Sequence, residues 1–157
     1  MLKLVLLFLF IAAACASYTE MVNLPIPDDG NVNVLESTIT VGENFVFGDV
    51  NVAVKIDHTN VGDLFISLEH DGVRVYLKFG FESCPANNFD IICDDSAANY
   101  QPCVDNLSGT FQPYDSPFPG LSASFNGSPS FGDWTLRVED CCISDMGILV
   151  QWQLILS

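Results

Sequence analysis

The sequence predicts an all-β fold, a jelly-roll β-sandwich or barrel of about eight strands. Three observations carry that expectation. In Gly132–Asp140, Trp134, Leu136 and Val138 alternate with Thr135, Arg137 and Glu139, the period of a half-buried strand. In Phe45–Asp57, Val50, Val52, Val54 and Ile56 face one way while Asp49, Asn51, Lys55 and Asp57 face the other. No amphipathic helix of useful length, internal repeat or linker interrupts the pattern.

The elements follow in chain order. Lys3, an apolar run from Leu4 to Ala14 and the small-residue signal Ala14-Cys15-Ala16 predict a secretory signal peptide over residues 1–16. The run is too short for a membrane anchor, which needs about 20 apolar residues. Residues 17–24 read as an N-terminal tail and residues 25–157 as one domain. Pro25-Ile26-Pro27-Asp28-Asp29-Gly30 is a turn, because proline presets φ and glycine permits positive φ. Val32 and Val34 alternate with asparagines, and Ser37–Val41 alternates again before Gly42-Glu43-Asn44 turns the chain into Phe45–Asp57.

His58–Asp63 connects to a strand at Leu64–His70. Asp71-Gly72 signals a type I′ hairpin turn, with Val73–Phe79 pairing back and His70 facing solvent beside the turn. Residues 81–118 lose periodicity and predict a long loop with short strands at most, one near Gly109–Phe111. Leu121–Phe125 leads through Asn126-Gly127 into the closing strands, the last with Ile148, Val150, Trp152, Leu154 and Leu156 on one face.

A net charge of −15 argues against nucleic acid and anionic membrane as partners and favours cations. Calcium prefers six to eight oxygen ligands, which loops supply better than strands. The acidic loops are Asp28 with Asp29, Asp90 with Asp94 and Asp95, and Asp140 with Asp145, and Asp63 joins the last if it lies at the same end. Asp63, Asp140, Asp145, Asp94 and Asp95 are therefore the candidate calcium ligands. The same aspartates also suit capping of turns through their own backbone.

Cleavage after Ala16 leaves Cys84, Cys93, Cys103, Cys141 and Cys142. In an oxidising compartment this predicts two disulfides and one spare thiol, with a bridge from segment 84–103 to the acidic loop holding Cys141 and Cys142. The spacing does not suit zinc, because no Cys-x-x-Cys pair occurs. Asn106-Leu107-Ser108 and Asn126-Gly127-Ser128 are sequons, so Asn106 and Asn126 are candidate glycosylation sites.

Catalytic chemistry is poorly represented. His58 and His70 are the two histidines, and no Gly-x-Ser-x-Gly motif supplies an exposed nucleophile. His58 reads as a structural hydrogen-bonding residue for the turn after it. Tyr100, Phe111, Tyr114, Phe118 and Phe131 lie in loops, where they either close the ends of the sandwich or stack on a glycan or protein partner.

An ordered set of short motifs runs from Pro25 to Leu156: Ile26-Pro27-Asp28, the Val-rich strand, His58-Thr59 with Gly62-Asp63-Leu64, Gly109–Pro113, Phe125-Asn126-Gly127, Gly132 with Trp134-Thr135-Leu136, Asp140, Gly147 and Trp152. In this set the chain resembles the P domain, or Homo B module, that follows the catalytic domain of kexin- and furin-like proprotein convertases. The resemblance implies a galactose-binding-domain-like jelly roll that carries no catalytic residues and stabilises a subtilisin-like serine protease by contact. Three departures stand out. Val61 replaces the Arg that commonly precedes the Gly-Asp pair, segment 84–103 is cysteine-rich, and the module is expected to carry its own signal peptide in place of a preceding protease.

The expected function is thus a secreted, extracellular, non-catalytic module, calcium-stabilised, that binds a protein partner, with a subtilisin-like protease in trans as the natural candidate. The alternative is a lectin-like adhesion or matrix module that binds glycans.

Overall fold

A computed structural model describes residues 15–28, 34–80, 83–114 and 120–157. Among the described residues nine strands fall in two sheets. They are β1 (Ala16–Pro25), β2 (Val34–Val41), β3 (Val50–His58), β4 (Leu64–His70), β5 (Val73–Lys78), β6 (Phe89–Cys93), β7 (Leu107–Phe111), β8 (Gly132–Asp140) and β9 (Gly147–Leu156). One sheet has the order β1-β9-β3-β6-β7 and the other β2-β8-β4-β5, and every pairing is antiparallel except β6 with β7. The result is a β-sandwich, as the alternation predicted.

Val50, Val52, Val54 and Ile56 of β3 face Leu64, Ile66 and Leu68 of β4 and Trp134, Leu136 and Val138 of β8 across one continuous core. Both indoles are fully buried, and a buried N–H needs an acceptor. Trp134 donates to the carbonyl of Ser130 at 3.0 Å and Trp152 to the Ser37 hydroxyl at 2.8 Å. The turn at Asp71-Gly72 has positive φ at both residues, 48° and 75°, as a type I′ hairpin requires.

Several expectations are corrected. Residues 17–24 are not a tail: they lie within β1, which pairs with β9 from Ala16↔Leu156 to Pro25↔Ile148. An edge strand with both faces largely exposed needs no apolar alternation, because backbone hydrogen bonds to β9 define it. The strand foreseen from Phe45 starts only at Val50, since the amides of Phe45, Gly48 and Asp49 bond to the Ser130 hydroxyl and to the Ser157 carbonyl.

The face of the last strand also differs. Leu149 is buried and Ile148 exposed, because a register shift opposite Lys55 and Ile56 inserts an extra residue between Leu149 and Trp152. His70 is buried, not solvent-facing. Its ring stacks on Trp134 at 3.8 Å, and its nitrogens lie 2.9 and 2.7 Å from the carbonyls of Asp133 and Pro129.

The long loop holds β6 as well as β7; Phe89, Ile91 and Cys93 point inward with Asp90 and Ile92 outward. Leu121–Phe125 forms α1, a short helix that buries Leu121 and Phe125. The signal segment through Ala14, Asp29, Val32 and Phe118 lie outside the described residues.

Candidate functional site

At one end of the sandwich β3 stops at His58, β8 stops at Asp140, and β9 starts at Gly147. Gly147 sits where a side chain would collide with the His58 ring and the Asp57 carbonyl, so only glycine lets β9 begin against β3. The connector after β3 turns tightly because Asn60 accepts from the Gly62 amide at 3.1 Å and caps a single 3-10 turn over Val61–Asp63. That turn brings Asp63 to the end of β8, where its carbonyl accepts from the Cys141 amide at 3.1 Å.

Three of the predicted carboxylates meet here. The Asn60 side-chain amide donates to Asp63 at 2.9 Å and reaches Asp145 at 3.5 Å. Thr59 donates to Asp145 at 2.8 Å and accepts from the Met146 amide at 2.9 Å. Asp140 accepts from the Cys142 amide at 3.1 Å, and its other oxygen lies 3.1 Å from His58 Nε2, both side chains being fully buried. Burial holds the Asp63 carboxyl above the usual carboxylate range, and repulsion from Asp140 and Asp145 adds to it, partly offset by His58 and by a hydrogen bond from Cys142.

Asp28, grouped with Asp29 in the sequence, joins this corner: one oxygen accepts from the Ser144 amide at 3.2 Å, and the other is buried with no partner. No local sequence signal announces that proximity, since it joins residues at opposite ends of the chain. Asp94 and Asp95 lie elsewhere. Asp94 accepts from the Ser96 amide at 2.7 Å, and both oxygens of Asp95 accept from α1 amides, of Leu121 at 3.0 Å and Ser122 at 2.8 Å. Asp90 pairs with Lys55 at 3.1 Å.

The cysteines pair otherwise than expected. Cys84 and Cys103 form a disulfide inside the long loop, and no bridge among the described residues joins that loop to the acidic corner. Cys93 takes an inward position on β6 with its sulfur in the core, and burial pushes its thiol up to about 12. Cys141 and Cys142 are unbridged, their sulfurs 2.7 Å apart and within 4.8 Å of an Asp63 oxygen. Hydrogen bonding to Cys141, then burial and the nearby carboxylates, push the Cys142 thiol up to about 12.

Asn106 and Asn126 are both exposed. Among the described loop aromatics, Tyr100 and Tyr114 line one cavity beside the long loop, whereas Phe131 adjoins β8.

The corner also presents apolar side chains to solvent. Ile143 and Met146, 66% and 71% exposed, flank Asp145, and Ile148 is exposed where β9 begins.

The proprotein convertase P-domain model matches residues 47–156. No curated protein matches the chain. Among solved structures, a chain in the crystal structure of the Aeromonas sobria serine protease and chaperone complex shares 22% identity at a TM-score of 0.58, over 91% of this chain and 27% of that one. The crystal structure of the serine protease of Aeromonas sobria gives 21% identity, a TM-score of 0.57, and coverage of 92% and 27%. The chain thus spans about a quarter of the length of the structures it matches.

Proposed function

The chain belongs to the proprotein convertase P-domain family, and on that premise we propose that it is a secreted, non-catalytic module that acts by contact with a subtilisin-like serine protease. The observation that carries the reading is the corner itself. Exposed Ile143, Met146 and Ile148 lie in the loop that carries Asp145 and at the start of β9, next to the strand ends joined by the buried His58–Asp140 pair. Large apolar side chains exposed beside charged groups suit a protein-docking surface. The His–Asp pair is buried and hydrogen-bonded at both ring nitrogens, which suits support of that surface better than proton transfer to a substrate. The Cys84–Cys103 disulfide favours an oxidising, extracellular setting.

Calcium belongs to the same reading. Asp63, Asp140, Asp145 and Asp28 bring carboxylate oxygens from separate segments to this corner, the kind of donor a hard cation takes, and one buried oxygen of Asp28 has no partner. A bound cation would supply positive charge against which these carboxylates can ionise together. Asp94 and Asp95 are left out of this site because turn and helix amides already engage them.

The test is direct binding of the purified chain to a purified subtilisin-like protease by interferometry, with the protease's thermal inactivation followed in parallel. Saturable binding, a longer protease half-life and loss of both in Ile143→Asp with Met146→Asp are expected. Absence of binding to any such protease would count against the proposal. A glycan-binding role rests on exposed Tyr100 and Phe131, and a glycan array reads it independently.

A further inference from the structure

Beside the Val61–Asp63 turn, the long loop borders a cavity of about 490 Å³, a volume in the range of small-molecule sites. Phe89 and Leu107 come from the paired strands β6 and β7, Val104 and Tyr100 from the loop, and Phe79 and Tyr114 from the far wall. Phe79 and Tyr114 stack at 4.9 Å, and Phe65 packs edge-on against Phe79 at 4.6 Å, so that wall is braced from behind. The Cys84–Cys103 disulfide ties two lining segments together.

The polar groups on this lining are few, and one stands apart. Gln101 spends its amide on the Leu77 carbonyl at 2.8 Å and the Gln112 carbonyl at 3.4 Å. The Lys78 ammonium makes no hydrogen bond or ion pair among the described residues, and the carboxylate that acts on it electrostatically is Asp63. None of the described lining residues is acidic, in a chain with 20 acidic and five basic side chains. A cation on an apolar wall whose described lining carries no carboxylate complements one kind of ligand.

We propose that this cavity binds a small amphiphilic carboxylate, an aliphatic or aromatic acid whose apolar part fills the space between Phe89, Leu107 and Tyr114 and whose carboxylate pairs with Lys78. The lysine supplies selectivity, because an apolar cavity alone does not distinguish an acid from its alcohol. Partial burial strengthens the pairing, since a charged hydrogen bond away from water is stronger than one in it. Burial of Lys78 lowers its ammonium to about 8, so it stays mostly charged at neutral pH and gains from a counter-ion.

Dodecanoate, dodecanol and dodecylamine are the probes, titrated calorimetrically into the intact chain. Saturable dodecanoate binding at least about tenfold tighter than dodecanol, with dodecylamine weaker still, is the expected order. Lys78→Met should bring dodecanoate down to the level of dodecanol, and Lys78→Arg should restore most of the difference, with near-ultraviolet circular dichroism confirming the fold of each. The wild-type comparison of acid, alcohol and amine stands even where a variant does not fold. Equal binding of acid and alcohol overturns the proposal, as does no dodecanoate binding. So does binding confined to an apolar peptide with a free carboxyl terminus, which would make the cavity a protein-docking site.

Discussion

His58 Nε2 lies 3.1 Å from an Asp140 carboxylate oxygen with both side chains fully buried, and the Asn60 amide donates to His58 Nδ1 at 3.1 Å. Because Nδ1 accepts, the proton of a neutral ring sits on Nε2 and is donated to Asp140. The pair thereby clamps the ends of β3 and β8 beneath the acidic loop. Loss of one partner leaves the other buried and uncompensated. His58→Ala is expected to cost about 3–5 kcal/mol in urea unfolding, and Asp140→Asn less, because the amide keeps one acceptor. A loss under about 1 kcal/mol for His58→Ala would show that the pair does not organise the corner.

Gly147 is the backbone counterpart of that clamp. A methyl group there meets the His58 ring and the Asp57 carbonyl, whereas one at Gly42 meets nothing within 4 Å. Gly147→Ala should therefore destabilise by about 1–3 kcal/mol, and Gly42→Ala should change stability by no more than about 0.5 kcal/mol. Thermal melts of the two variants side by side give the answer.

Calcium should raise the melting temperature of the wild-type chain, by an amount equivalent to about 2.7 kcal/mol when the ion is at one hundred times its dissociation constant. Asp63→Asn and Asp145→Asn should each abolish the rise. In chelator, Asp63→Asn should be no less stable than wild type at neutral pH, since it relieves repulsion from Asp140 and Asp145. An unchanged melting temperature with calcium removes the ion from the site.

Alkaline stability separates two buried groups. Lys78 titrates near 8 in the folded chain against 10.5 for the free side chain. The unfolded chain therefore holds more protons between those values, and stability rises with pH across that window. Cys93 acts oppositely: its folded value of about 12 exceeds the ordinary 9.0, so the folded chain holds the proton and stability falls with pH above 9. Between pH 8 and 9 the rise from Lys78 should dominate a smaller fall from Cys93 and Cys142, whose thiols are both pushed up to about 12, and Lys78→Met should remove the rise. A rise that survives in Lys78→Met assigns it to another group.

The disulfide should matter only within its own loop. Peptide mapping without reduction is expected to yield Cys84 joined to Cys103 and no peptide linking that loop to Cys141 or Cys142. Replacing both Cys84 and Cys103 with Ser should cost about 3 kcal/mol for a closed loop of this size. Recovery of a bridge from Cys93 to the acidic corner would contradict the core position of its sulfur.

The sequence by itself determined the sandwich, the hairpin at Asp71-Gly72, the core faces of Val50–Ile56 and Trp134–Val138, and the family set of motifs. These are local properties, because strand periodicity and turn chemistry are written in adjacent residues. It also placed Asp63, Asp140 and Asp145 as a candidate set, since they lie at strand ends that an antiparallel pairing brings together. Only the tertiary structure decided the rest. The shift that buries Leu149 in place of Ile148 depends on register against β3 and β1, and the incorporation of residues 17–24 into β1 depends on a partner strand more than a hundred residues away. His70 is buried because Trp134 stacks on it, Asp28 reaches Ser144 across the fold, and the Lys78 cavity exists because the long loop borders it. Each of these follows from which distant surfaces meet, and a period along the chain carries no information about that.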